Sequence, residues 1–186
     1  LASNKKGSVS FDYGVASGDP TNNQVILWTK ITTENPQIHT VIWEVSDDTS
    51  FNKIIASGFC EAKPFDDYTV KVDSSIPSEF NARKIYYRFK SNEILSEIGT
   101  TSTLPIQNPD KFNIAFCSCS NYPAGYFNAY KEMANDKAVD LVLHLGDYLY
   151  EYSSKGYASS DAKEMGRVVN PSNEIVSLDD YCQRYA

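Results

Sequence analysis

Through the first hundred residues, apolar and polar positions alternate in short runs broken by turns. Residues 25–28 form an apolar run behind a turn-rich stretch at 17–23. Over 40–46, Val41, Trp43 and Val45 fall on one face of an extended chain, because side chains two apart point the same way. Residues 68–73 alternate again, and 84–90 gather Ile85, Tyr87 and Phe89 on one side. Short strands at regular intervals, with no helical period between them, predict an antiparallel β-sandwich. The same pattern also admits a loose β-meander that needs a partner.

The pattern changes at 103–110, where two prolines and several polar residues mark a domain boundary. Beyond it, 112–116 predicts a short buried strand and 117–123 a polar turn. Phe127, Tyr130, Met133 and Ala134 recur at spacings of three and four, which predicts a helix over about 125–136. Residues 140–145 are an almost unbroken apolar strand ending at Gly146-Asp147. Strand, loop, helix and strand make a βαβ unit, which normally builds a parallel sheet with ligands at the carboxyl ends of its strands. The Cys119 turn and the Gly146-Asp147 corner both lie at that end. Residues 153–171, rich in Ser, Gly and Ala, predict a long loop, and 178–186 the opening of a helix.

Composition narrows the function classes. The net charge is -7, and acidic residues outnumber basic ones in each half, so no basic stripe invites a nucleic acid. No run approaches the roughly 20 apolar residues of a membrane-spanning helix. The opening Leu1-Ala2-Ser3-Asn4-Lys5-Lys6 has no apolar leader core, and the first residue is not Met, so an upstream segment is open. Thirteen tyrosines favour β-structure. Four cysteines, at 60, 117, 119 and 182, are too few and scattered for a disulfide scaffold.

Chemistry concentrates in Gly146-Asp147-Tyr148-Leu149-Tyr150. A strand ending in Gly-Asp projects a carboxylate from a sheet edge, where its two oxygens can bridge two cations. Glycine lets the backbone turn sharply beside them. A tyrosine three residues on offers a phenolate, a hard oxygen ligand suited to a trivalent ion. Alone, Gly-Asp is more often a turn, Cys119 an ordinary buried thiol and Tyr150 a packing aromatic. His144, mid-strand in an apolar run, reads as a satisfied core histidine, and His39 as a residue of a sandwich loop. Cys117, Tyr148 and Tyr152 read as packing residues.

Four blocks in order along the chain carry a resemblance. They are Gly14-Val15-Ala16-Ser17-Gly18-Asp19-Pro20 with 25–29; Gly99 to Pro105; Ser118-Cys119 within 116–127 together with His144 to Tyr152; and the tail 178–185. Together they resemble the PhoD-like alkaline phosphatases and phosphodiesterases of the metallophosphoesterase superfamily, in their N-terminal portion only. The Gly-Asp-x-x-Tyr element is similar to that of the purple acid phosphatases. The resemblance implies ferric iron held by Cys119, Asp147 and Tyr150, with Asp147 as the catalytic residue bridging to calcium.

The implied fold is an immunoglobulin-like sandwich over 1–104, followed over 105–186 by the first βαβ part of an incomplete metallophosphoesterase domain. The implied reaction is hydrolysis of small phosphate mono- or diesters by a metal-bound hydroxide. Arg167 matches a basic position in the family's long loop, and is either a phosphate contact or a solvated arginine. The implied location is secreted, periplasmic or cell-surface. The family's Asp-Asp-His-Glu stretch and later histidines have no counterpart here: Asp179-Asp180 precedes Tyr181, and the chain has two histidines. The remaining ligands are therefore expected from a continuation or another chain. The rival reading is an extracellular adhesion module with a non-catalytic second part.

Overall fold

The computed structural model describes residues 9–186, so the opening Leu1–Lys6 segment lies outside the described residues. The chain forms two compact units, Leu1–Asn108 and Pro109–Ala186.

The described residues of the first unit form ten strands: β1 (Val9–Ser10), β2 (Val15–Gly18), β3 (Gln24–Lys30), β4 (Thr32–Thr33), β5 (His39–Ser46), β6 (Ile54–Ala62), β7 (Thr69–Ser75), β8 (Ile85–Ser91), β9 (Ile94–Leu95) and β10 (Gly99–Thr101). One antiparallel sheet runs β2-β3-β7, and a second runs β10-β8-β5-β6 with β9 paired to β8. The small β1-β4 pair stands apart from both. Leu27 of β3, Val70 of β7, Val41 and Val45 of β5, and Ile85 and Phe89 of β8 meet in one core. Each such side chain contributes about 1.5–3 kcal/mol by leaving water. Alternation places them there: β8 is buried at every second residue.

Polar groups drawn into this core find partners. Ser74 Oγ donates to the Val25 carbonyl at 2.7 Å, and Thr29 Oγ1 to the Gly14 carbonyl at 2.8 Å. Glu44 and Arg88 face each other across β5 and β8, and Arg88 Nε donates to Glu44 Oε2 at 2.7 Å. Such a cross-strand pair, worth up to about 1 kcal/mol, favours this register over a one-residue slip. His39 opens β5 and is buried, with Nε2 3.2 Å from Thr33 Oγ1 and 3.1 Å from the Asn35 carbonyl. It is a strand residue, not the loop residue expected.

The longest strand, β6, is absent from the sequence pattern. Its inward positions carry small residues, Ala56, Gly58, Cys60 and Ala62, while Phe59 points out and is 75% exposed. Trp43 fills the space: Gly58 lies opposite it, and a Cβ there would come 2.8 Å from the indole.

The second unit holds β11 (Ile114–Cys117), α1 (Asn128–Asn135), β12 (Leu141–His144) and α2 (Leu178–Tyr185). β11 and β12 pair in parallel, Ile114 with Leu141 through Cys117 with His144. Both were expected to be buried, and neither is: Phe116 is 68% exposed, Val142 50% and Leu145 65%. The apolar runs follow the usual composition of parallel strands, which are normally covered on both faces, but here most of their larger side chains stay exposed. The long segment 153–175 is irregular yet fastened. Ala162, Val169 and Ile175 are buried, and the Ile175 N–H donates to the Glu151 carbonyl at 3.0 Å.

Candidate metal centre

The carboxyl ends of β11 and β12 run into two turns that lie side by side. The Cys119 N–H donates to the Gly146 carbonyl at 3.1 Å, and the Ser120 N–H to the Asp147 carbonyl at 2.8 Å. This backbone ladder continues the strand pairing past the end of the sheet and brings two distant side chains together. Both turns are strained. Cys119 sits at φ 63° and Asp147 at φ 55°, the two non-glycine residues of the second unit with positive φ among those described. Gly146, just before Asp147, sits at φ 114°, a value that side chains rarely tolerate. Non-glycine residues in that region cost about 1–3 kcal/mol each and cluster at functional sites.

Cys119, Asp147 and Tyr150 converge on one carboxylate oxygen. The Cys119 thiol donates to Asp147 Oδ2 at 3.4 Å, and the Tyr150 hydroxyl donates to the same oxygen at 3.3 Å. Ser118 Oγ lies 3.3 Å from Cys119 Sγ. Hydrogen bonding to Cys119, then desolvation and the neighbouring Asp147 charge, hold the Tyr150 phenol above the ordinary tyrosine range. Without a cation the site therefore keeps its phenol protonated.

The donor set fits a transition-metal ion. Donors held about 2.0–2.3 Å from one such ion stand about 3–3.5 Å apart at angles between square and tetrahedral. The observed 3.3 and 3.4 Å separations match that spacing. Among the described residues, no three or more His, Cys, Asp and Glu gather into a cation cluster.

Other expected residues are placed differently. His144 is exposed, not a core residue, though it is well partnered. The Gly146 N–H donates to its Nδ1 at 3.3 Å, so the neutral ring carries its proton on Nε2, which lies 2.9 Å from Ser120 Oγ and 3.1 Å from Tyr130 Oη. Cys117 is half-buried, with Sγ 3.9 Å from the Leu143 carbonyl. Tyr148 stacks on Tyr185, and Tyr152 stacks on Tyr150. Arg167 donates through Nε to the Tyr122 carbonyl at 2.7 Å and lies 3.8 Å over the Tyr122 ring. Its Nη2 is buried without a partner.

One residue escaped the sequence reading. Arg184 of α2 reaches the backbone carbonyl of Tyr150 at 2.6 Å. Carbonyls carry no side-chain signal, and the contact spans 34 residues. No pattern in the sequence marks it.

The family described as PhoD-like phosphatase, N-terminal domain, matches residues 1–105, and the PhoD-like phosphatase family matches residues 114–186. The chain belongs to the PhoD-like phosphatase family. Alkaline phosphatase D of Bacillus subtilis (strain 168) is 41% identical over 190 residues, covering 96% of this chain and 31% of the relative. A solved structure described as "Structure of PhoD" is 40% identical with a TM-score of 0.85, over 94% of this chain and 34% of that one. The chain thus spans about a third of the length of these PhoD-like relatives.

Proposed function

We propose that the intact protein hydrolyses phosphate mono- or diesters at a centre where Cys119, Asp147 and Tyr150 hold ferric iron and Asp147 bridges to calcium. The observation that carries this reading is the convergence of thiol and phenol on Asp147 Oδ2, at 3.4 and 3.3 Å, from two strained turns. Both hydrogen bonds fall on Oδ2, which leaves Oδ1 outside this pair and free to serve a second cation. Iron would supply Lewis acidity that makes a water nucleophile available near neutral pH. The thiol and phenol protons now shared with Asp147 must leave when the site is loaded, so retention of the ion weakens as pH falls. Arg167 is the candidate phosphate contact, although its Nε is already given to the Tyr122 carbonyl.

In this reading the first unit is an immunoglobulin-like sandwich, and residues 105–186 open an α/β catalytic domain. The second-cation ligands come from a continuation or another chain. The protein acts outside the cytoplasm, as a secreted, periplasmic or cell-surface enzyme. Among the described residues no helix is long and apolar enough to cross a membrane. The rival reading, an adhesion module, is disfavoured because both units match a phosphatase family.

The test is spectroscopic. The iron-loaded intact enzyme should show a broad visible charge-transfer band. Tyr150→Phe should remove or shift it, since the change deletes one oxygen and little volume. Cys119→Ser should release iron, because a hydroxyl is a far poorer anion than a thiolate at neutral pH. Tyr148→Phe and Cys117→Ser should leave both colour and iron content unchanged. A visible spectrum indifferent to Tyr150→Phe removes that residue from the metal shell.

A further inference from the structure

Arg184 stands in the last turn of α2 and spends its whole guanidinium on main-chain oxygens. Nη1 donates to the carbonyls of Tyr150 at 2.6 Å and Tyr152 at 3.1 Å. Nη2 donates to those of Pro171 at 2.8 Å and Asn173 at 3.2 Å, and Nε to that of Asn170 at 3.3 Å. A guanidinium has five N–H groups in a fixed planar fork, so five carbonyls use all of them. Among the described residues no carboxylate forms an ion pair with it, although the charges of Asp180 and Glu151 lie near enough to favour its own.

The targets are two stretches, 150–152 and 170–173, that have no regular structure of their own. One stretch begins at Tyr150. The same helix touches its neighbours as well: Tyr181 Oη donates to Glu151 Oε1 at 2.9 Å, and the Tyr185 ring stacks on Tyr148 at 6.0 Å. From Tyr148 to Tyr152 the chain lies against α2, and the shortest of these contacts falls on the main chain of Tyr150 itself. A carbonyl fixed at that position restrains ψ of Tyr150, and with it the direction in which Cα presents the phenol to Asp147.

We propose that Arg184 is a positioning residue for the metal centre, holding the Tyr150 backbone so that its phenol meets the ion bound by Cys119 and Asp147. The inference rests on the phenolate reading of Tyr150 given above. It goes beyond that reading by assigning part of the site's metal affinity to a helix that supplies no ligand. Partners one step removed from a metal's ligands commonly govern affinity by about 10-fold to 100-fold.

The experiment uses the full-length, iron-loaded enzyme and reads iron affinity against a competing chelator together with the visible band. Arg184→Ala should weaken iron binding about 10-fold to 100-fold and shift or broaden the band. Arg184→Lys should fall between, since an ammonium has three donors and no planar fork. Tyr181→Phe loosens the same helix but spares the Tyr150 carbonyl, and it should keep both the band and the affinity. In the metal-free enzyme, Arg184→Ala should speed amide exchange over residues 150–173 while leaving β3 and β8 protected. A folded Arg184→Ala enzyme with the parent's band and affinity overturns the proposal. Should Arg184→Ala fail to fold, Arg184→Lys decides by the same two readouts. If Tyr150→Phe keeps the band, the phenolate reading falls and this proposal with it. If Tyr150→Phe loses the band while the Arg184 variants keep it, only the positioning role falls.

Discussion

His144 joins the two turns that carry the candidate ligands. Its Nδ1 accepts the Gly146 N–H, beside Asp147, while Nε2–H faces Ser120, next to Cys119. Ser120 is buried and also hydrogen-bonds Tyr130 Oη at 2.5 Å. Replacing the ring with an apolar side chain leaves the exposed Gly146 N–H to water and leaves Ser120 and Tyr130 each other. The expected loss from His144→Leu is about 0.5–1 kcal/mol, the net worth of an ordinary hydrogen bond. Thermal denaturation of the metal-free intact enzyme checks this, and an unchanged midpoint would show that the turns stand without the ring. The sequence placed His144 mid-strand in an apolar run and so suggested a core residue. Its actual surroundings depend on a turn 24 residues earlier, which no local pattern encodes.

Helix α2 shows how much an element can conceal in its first turn. Asp179-Asp180 precedes Tyr181 and so is not the family's ligand stretch, and Asp180 is instead the reciprocal half of a capping box. Its N–H donates to Ser177 Oγ at 3.2 Å, and its Oδ2 accepts from the N–H groups of Ser177 at 3.0 Å and Val176 at 3.1 Å. Those backbone donors, first Val176 and then Ser177, hold the carboxyl below its usual range. A carboxyl lowered in the folded state stabilises fully above its unfolded value, near pH 4 (about 3.9), and the benefit fades as pH falls through the folded value. Amide protection of residues 181–185 should therefore stay flat at neutral and alkaline pH and decline below about pH 4. Asp180→Asn should lose that acid dependence, and Ser177→Ala should cost the helix about 1 kcal/mol at every pH. An Asp180→Asn protein with the parent's pH profile would assign the acid response to another group. Elements with one dry face, such as β8 with Ile85, Tyr87 and Phe89, were legible because burial and alternation coincide. β6 was not, because Trp43 reaches across and leaves its inner face only small residues.

At the scale of the molecule the two units differ in kind. The first buries Leu27, Val41, Val45, Ile85 and Phe89 completely and satisfies the polar groups beside them. The second pairs two apolar strands whose larger side chains are mostly exposed, Phe116, Val142 and Leu143 among them. An isolated two-stranded pair is marginal at best, and parallel strands ordinarily need cover on both faces. A polypeptide of residues 1–108 should therefore unfold in one cooperative thermal transition and bind little of an apolar-surface dye. Residues 109–186 alone should bind the dye strongly and melt over a broad range, since the contacts that fasten 153–175 are mostly hydrogen bonds to the main chain. The two turns of the candidate metal centre grow from the ends of those same exposed strands. Dye binding and iron retention should consequently oppose each other: a longer chain that covers β11 and β12 should lose dye and hold iron more tightly. Calorimetry, dye fluorescence and chelator competition on the short and long polypeptides measure the three quantities. A sharp, dye-free transition in residues 109–186 would show that the strand pair holds its shape uncovered, and would separate the stability of the sheet from the assembly of the metal centre.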